Sequence, residues 1–113
     1  MQGCIFCLIV AGEVPADVVH RDERAVAFRD LAPQAPVHLL VVPTTHWESL
    51  DAVPADAEGD VGHLLAVCRD LADRLGLQGG YRVVANTGAD GGQSVGHLHL
   101  HLLGGRSLDW PPG

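Results

Sequence analysis

The sequence predicts an α+β domain: an antiparallel sheet of about five strands with one long helix and a short N-terminal helix. Short apolar runs recur between turn-forming residues at 17–20, 24–29, 37–42, 81–86 and 97–103. A single stretch, 54–75, carries a sustained helical spacing of apolar residues. The 113 residues, 47 % of them hydrophobic, suffice for one core and contain no linker, repeat or low-complexity stretch. Residues 1–113 are therefore read as one domain.

Residues 5–10 (Ile5-Phe6-Cys7-Leu8-Ile9-Val10) are apolar and stop before Gly12. Periodicity alone cannot separate helix from strand over that length, and the segment is assigned to the short helix. Runs 17–20 and 24–29 flank Arg21-Asp22-Glu23, a hairpin pattern. Leu31 to Pro36 holds two prolines and reads as a loop. Residues 37–42 are almost wholly apolar, as a central strand buried on both faces would be. In 54–75, Pro54 suits the first turn. Val61, Leu64, Leu65, Cys68, Leu71 and Leu75 follow i, i+3, i+4 spacing, and Gly76 suits the stop. Strand 81–86 leads into a Gly-rich loop from Thr87 to Gly96, then strand 97–103 and a tail ending Trp110-Pro111-Pro112-Gly113.

Aromatic residues are only 4 %, so the core rests on Val, Leu, Ile and Ala. The formal charge is −7, and the chain has no Lys. Such a chain gains no counterion-release energy from DNA or RNA and no attraction to an anionic membrane. A small phosphate ester stays open, because backbone N–H groups, hydroxyls and imidazoles can hold one phosphate. Three cysteines do not read as a disulfide framework. No run is long and apolar enough to span a bilayer, and no signal-peptide pattern is seen at the start. A soluble, cytoplasmic protein is expected.

His97, His99 and His101 alternate with Leu98, Leu100 and Leu102. On a helix, i and i+2 lie about 200° apart and cannot converge. On a strand the three imidazoles share one face, roughly 7 Å apart, and the leucines cover the other. The histidine face is then a solvent face, a metal site or a phosphoryl-transfer site with an imidazole nucleophile. Solvent faces favour Thr, Lys, Glu and Ser over three histidines. The preceding loop Asp90-Gly91-Gly92-Gln93-Ser94-Val95-Gly96 offers an anion nest and a hydroxyl. It feeds a strand rather than a helix, so it is no P-loop.

These residues resemble the histidine triad (HIT) family. Gly96 to Leu103 looks like its His-φ-His-φ-His-φ-φ signature, Asp30 to His38 like its nucleotide-site motif, and Asn86 to Val95 like its phosphate loop. Leu103-Gly104-Gly105-Arg106 and the Trp-Pro-Pro-Gly ending resemble the Hint branch. The resemblance implies a HIT-like fold and hydrolysis of purine nucleoside 5′-phosphoramidates, such as adenosine monophosphate linked to an amine. It implies His99 as the nucleophile, forming a nucleotidyl-histidine intermediate. One ring nitrogen of His99 would be held by a backbone carbonyl near His97. His101 would touch phosphate oxygens or the leaving amine, and His38 would close the cluster. Ser94 and the N–H groups of Gly92, Gln93 and Val95 would meet the phosphate. Asp30 would bind the ribose, and Asn86 would contact ribose or phosphate or simply start the turn. Phe6, Ile9, Val14, Phe28 and Leu31 would line the base pocket or belong to the core.

Cys4 and Cys7 form a Cys-x-x-Cys pair. Bacterial relatives and the related uridylyltransferases carry such a pair. Carried over, a structural zinc would take Cys4, Cys7, His46 and His97, a Cys₂His₂ set, with no cofactor needed for the chemistry. The alternative is two reduced thiols with His46 on the surface. A redox pair fits less well without a thioredoxin-like βαβ pattern. Cys68 reads as a small core residue.

The family pattern also implies a homodimer in which the helix around 58–75 and strand 81–85 pack across a two-fold axis, with Trp110 near the partner's site. Rival functions are a nucleotide-binding regulatory module with little turnover and a dinucleoside polyphosphate hydrolase of the Fhit type. The tail disfavours the latter, and His101 disfavours a uridylyltransferase, which has Gln there.

Overall fold

The computed structural model describes residues 3–113. Helix α1 spans Ile5–Val10; its N-cap is Cys4, whose Sγ accepts the Cys7 N–H at 3.3 Å. Five strands follow in one sheet: β1 Val18–Arg21, β2 Ala25–Arg29, β3 Val37–Pro43, β4 Tyr81–Val84 and β5 Leu100–Gly104. Their order is β1-β2-β3-β5-β4, antiparallel throughout. The long helix α2 spans Glu58–Arg74 and is inserted between β3 and β4.

Alternation along the strands divides the molecule into two layers of packing. Leu39 and Val41 of β3 join Leu100 and Leu102 of β5, Ala25 and Ala27 of β2, and Leu64, Val67, Cys68, Leu71 and Ala72 of α2 in one core. The opposite face carries Val26, Phe28, Leu40 and Val42 against Phe6 and Ile9 of α1. Each buried Leu or Val side chain contributes about 1.5–3 kcal/mol relative to exposure. Because α1 is only six residues long, it cannot cover its face of the sheet. The part left open, beside His38 and His101, is where the site lies.

The expected hairpin, the central strand and the single long helix are all present. Boundaries differ for physical reasons. The region from Pro54 is not α-helix at first: 3₁₀ turns at Leu50–Ala52 and Ala55–Ala57 precede α2. The helix stops at Gly76, whose φ of 73° lets the Leu77 N–H reach back to the Ala72 carbonyl at 2.9 Å. Leu65 is half-exposed, while Val67 and Ala72 are buried, so the packed stripe sits further round the helix than its apolar spacing indicates. Strand β4 ends at Val84, not 86. Strand β5 begins at Leu100, so His97 and His99 precede it instead of lying within it. Leu98 is nonetheless tied in place by its N–H to the Trp47 carbonyl at 2.7 Å.

Candidate active site

The three triad histidines have different surroundings. Leu98, Leu100 and Leu102 are buried on the α2 side, as alternation requires. His97 turns toward α1 and the cysteines, His99 lies behind Phe6, and only His101 stands in the sheet, opposite Leu40 and Val84. His99 is buried, and its Nδ1–H donates to the His97 carbonyl oxygen at 2.8 Å. A carbonyl can only accept, so the proton of the neutral ring is on Nδ1 and Nε2 keeps its lone pair. Phe6 packs edge-on against the His99 ring with centroids 5.2 Å apart, fixing the ring plane.

His38, on β3, lies 2.9 Å from His101, Nε2 to Nδ1, and 3.4 Å from Asp30 Oδ2. The Gln34 N–H donates to its other nitrogen, Nδ1, at 3.0 Å. Burial, followed by the adjacent His99 and His38, pushes His101 down to about 4 from an ordinary 6.5, and Asp30 only partly opposes this. His101 is therefore neutral at physiological pH, a hydrogen-bond donor without charge.

Asp30, His99 and His101 meet at a cavity of about 290 Å³. Its apolar wall comes from Ile5, Phe6 and Ile9 of α1, Val14 after it, and Phe28 and Leu40 of the sheet. Asp30 and Leu31 form one rim; Ser94, Val95, His99 and His101 form the polar end. Leu31 is 99 % exposed, so its place is the rim and not the core. An apolar chamber with a few polar groups at one end is the usual form of a small-molecule site. Sequence pattern does not distinguish Leu40 or the Gln34 amide as site groups. Leu40 is indistinguishable there from the other leucines of β3, and a backbone amide leaves no sequence signal.

The Gly-rich loop is held mostly by its own bonds. Asn86 Nδ2 donates to the Gly91 carbonyl at 2.7 Å, and Gln93 Nε2 donates to the Glu48 and Val95 carbonyls at 2.6 and 3.0 Å. The Gly92 and Gln93 amides close turns onto Ala89 and Gly88 at 3.0 and 3.1 Å. In this structure the Gly92 and Gln93 N–H groups, expected from the family pattern to meet a phosphate, are engaged inside the loop, and neither residue lines the cavity. Asn86 likewise spends its amide on the turn. Ser94 and Val95 are the loop residues that reach the cavity.

Cys4, Cys7, His46 and His97 form a second cluster, with one ligand atom from each lying within 4.8 Å of all the others. Cys4 Sγ is 3.3 Å from His97 Nδ1, Cys7 Sγ is 3.1 Å from His46 Nδ1, and the two Nδ1 atoms are 3.1 Å apart. Those spacings are close to the edges of about 3.3–3.8 Å that metal bonds of about 2.0–2.3 Å give a zinc tetrahedron. His97 Nε2–H donates to the Pro43 carbonyl at 3.0 Å, which leaves Nδ1 bare and aimed into the cluster. His97 is fully buried, and burial, against the pull of the Pro43 carbonyl and aided by His46 and His99, keeps it below the usual histidine range. His46 Nε2 is buried without a hydrogen-bond partner among the described residues, so Nδ1 is the nitrogen its surroundings engage. Burial and the neighbouring Cys4 raise the Cys7 thiol, a penalty that a cation between the two sulfurs would remove. The residues fit a structural zinc ion. Asp30, His38 and His101 also approach one another closely. They suit a metal poorly, because the Gln34 N–H occupies His38 Nδ1, so a metal on Nε2 would require an imidazolate.

A five-stranded antiparallel sheet, a short and a long helix, and a histidine-ended cavity beside a Cys₂His₂ cluster define a small α+β protein with a histidine-lined small-molecule site. The chain belongs to the HIT family: the HIT domain matches residues 11–108. It is 53 % identical over 112 residues to an HIT-like protein of Synechococcus elongatus, covering 99 % of this chain and 98 % of that one. A HIT family hydrolase from Legionella pneumophila superposes with a TM-score of 0.96 at 47 % identity, covering 98 % of this chain and 100 % of the other. A zinc-bound histidine triad family protein from Mycobacterium smegmatis superposes with a TM-score of 0.83 at 32 % identity, covering 96 % and 79 %. Among the described residues, no helix is long and apolar enough to cross a membrane.

Proposed function

We propose that the protein hydrolyses purine nucleoside 5′-phosphoramidates through a nucleotidyl intermediate on His99. The observation that carries this reading is the hydrogen bond from His99 Nδ1 to the His97 carbonyl, which leaves Nε2 as a free nucleophile at the reactive end of the cavity. The apolar wall takes the base, and Asp30 at the rim takes the ribose hydroxyls. His99 Nε2 then bonds to the α-phosphorus. The bond from phosphorus to the amine nitrogen breaks, and that nitrogen keeps the electron pair and leaves as the amine with a solvent proton. His101 Nε2 and the Ser94 hydroxyl donate to the departing nitrogen and the phosphate oxygens. In the second half, a water oxygen bonds to phosphorus, its proton passes to solvent, and the bond to Nε2 breaks to free the nucleoside monophosphate.

The Cys4–Cys7–His46–His97 cluster holds a structural zinc in this reading, and the chemistry uses none. The three free thiols suit a reducing compartment such as the cytoplasm. A homodimer is proposed as well. Tyr81 on the edge strand β4 and Leu65 on α2 are exposed, which supports pairing there, and the exposed Trp110 is free to reach a partner's site.

Incubation with an adenosine 5′-phosphoramidate should release amine and AMP. The His99→Asn variant should lose turnover by about 10⁴-fold or more while keeping AMP affinity. AMP binding by the wild type without amine release would overturn the enzyme reading in favour of a nucleotide-binding module.

A further inference from the structure

We propose that the backbone amide of Gln34 is a positioning group for the site: it sets the tautomer of His38 and, through it, of His101, so that His101 presents Nε2–H to the cavity. The consequence for rate rests on the phosphoramidase reading; the tautomer assignment does not.

The argument is one of donors and acceptors. The Gln34 N–H points at His38 Nδ1 across 3.0 Å. A nitrogen that accepts a hydrogen bond carries no proton, so neutral His38 is protonated on Nε2. That Nε2–H faces His101 Nδ1 at 2.9 Å and Asp30 Oδ2 at 3.4 Å. Two ring nitrogens at 2.9 Å need one proton between them, and His38 supplies it. His101 Nδ1 is then the acceptor, and the single proton of neutral His101 is on Nε2. The chain of donors runs one way, from the loop at 34 through two rings to the cavity. A neutral imidazole has one N–H to give, so its location decides whether His101 donates to the substrate or not.

The Gln34 peptide is held on every side. Pro33 and Pro36 restrict the backbone around it. Its side chain Nε2 donates to the Ala32 carbonyl at 2.9 Å, and Asp30 Oδ1 accepts the Ala32 N–H at 2.8 Å. Its carbonyl accepts from Arg106 Nη2 at 2.9 Å. The tail can come this close because Gly105 adopts a φ of 93° and a Cβ there would sit 2.8 Å from Pro36 Cβ. Asp30 and Arg106 therefore hold the segment on either side of the Gln34 N–H, from the rim and from the tail.

The test uses the full chain with ¹⁵N-labelled histidine and long-range ¹H–¹⁵N spectra at neutral pH without substrate. The expected result is a proton on Nε2 of both His38 and His101, and on Nδ1 of His99. A proton on Nδ1 of His38 or of His101 in the wild type would overturn the proposal, whatever the protein hydrolyses. Gln34→Pro removes the N–H together with the side-chain bond to Ala32, and only the second loss is shared by Gln34→Ala. It should let His38 and His101 populate both tautomers and lower kcat by about 10²-fold with KM changed far less. Gln34→Ala keeps the N–H and should keep the wild-type tautomers. Wild-type tautomers in a folded Gln34→Pro would equally sink the idea. If Gln34→Pro fails to fold, Arg106→Ala gives the second reading, with partial loss of the fixed tautomers expected and unchanged tautomers counting against the proposal. Absence of amine release by the wild type, with the tautomers as assigned, would defeat the substrate reading and leave the positioning role supported.

Discussion

The carbonyl oxygen of His97 and Nδ1 of His99 are 2.8 Å apart, and the same His97 directs its own Nδ1 into the Cys4–Cys7–His46 cluster. One residue thus belongs to both clusters, by its ring to the sulfurs and by its backbone to His99. The two-residue spacing of the motif produces this division once the chain is extended, because neighbours at i and i+2 face the same side.

Metal removal should therefore be visible in stability. Wild-type protein prepared under reducing conditions with zinc is expected to hold one equivalent. A chelator should lower its Tm, with a loss of about 4 kcal/mol where free zinc had stood a thousandfold above its Kd. Cys7→Ser should hold less metal and lose most of the chelator response. Metal analysis and thermal unfolding check both. A wild type free of metal and indifferent to chelator would leave the cluster as a hydrogen-bonded thiol–imidazole group.

A second prediction concerns acid. His101 titrates near 4 when folded, against an ordinary 6.5, through burial and the neighbouring His99 and His38, with Asp30 opposing. The unfolded chain takes up this proton first as pH falls. The stability from keeping the ring neutral is complete above about 6.5 and drains away between 6.5 and about 4. Urea midpoints should fall over that window, and His101→Gln should fall less steeply. An unchanged slope would count against burial of a neutral His101.

Much of this arrangement is legible in the chain because it is local or periodic. The alternation of His97 to Leu102 gives the buried leucine face without any structure, and Gly76 marks the end of α2. What is illegible depends on contacts distant in sequence. Leu98 falls outside β5 with its N–H spent on the Trp47 carbonyl, and the His97 ring beside it is bonded to the Pro43 carbonyl. The glycine loop reads as a nest of free amides, yet Gly92 and Gln93 spend theirs on turns that no spacing rule reveals. Helical periodicity identifies α2 but not the rotation at which it packs, so Leu65 is out and Val67 is in.

Asp22 is the clearest case of a cluster that the sequence hides, and it makes a third prediction. Its Oδ2 accepts from His20 at 2.6 Å and His63 at 2.8 Å, and its Oδ1 accepts the Arg24 and Ala25 amides at 2.7 and 2.9 Å. Burial alone would raise this carboxyl. Hydrogen bonds from His20, the Arg24 amide, His63 and the Ala25 amide outweigh it and hold the group well below the usual carboxylate range. A depressed carboxyl contributes stability above its ordinary 3.8, which is lost as pH falls below that value. Asp22→Asn should cost about 1–3 kcal/mol at neutral pH, measured by urea unfolding, and leave kcat alone because the cluster lies away from the cavity. A neutral effect would mean that the His20 and His63 bonds add nothing beyond the turn.

The three thiols should separate in a fourth measurement. Cys68 is 1 % exposed in the α2 core, and burial pushes its thiol up to about 11. At neutral pH almost none of it is thiolate, and reagent cannot reach it, so both conditions for reaction fail. Cys4 and Cys7 are only partly buried. With a disulfide reagent such as dithiobisnitrobenzoate, the folded protein should release two equivalents of thiolate after chelation and the third only in denaturant. Adding zinc first should slow the two fast thiols without touching the slow one, because Cys68 is protected by packing and the other two by ligation. Three fast thiols in the folded state would mean that α2 opens from the sheet readily. Two fast thiols insensitive to zinc would mean that Cys4 and Cys7 do not share a metal.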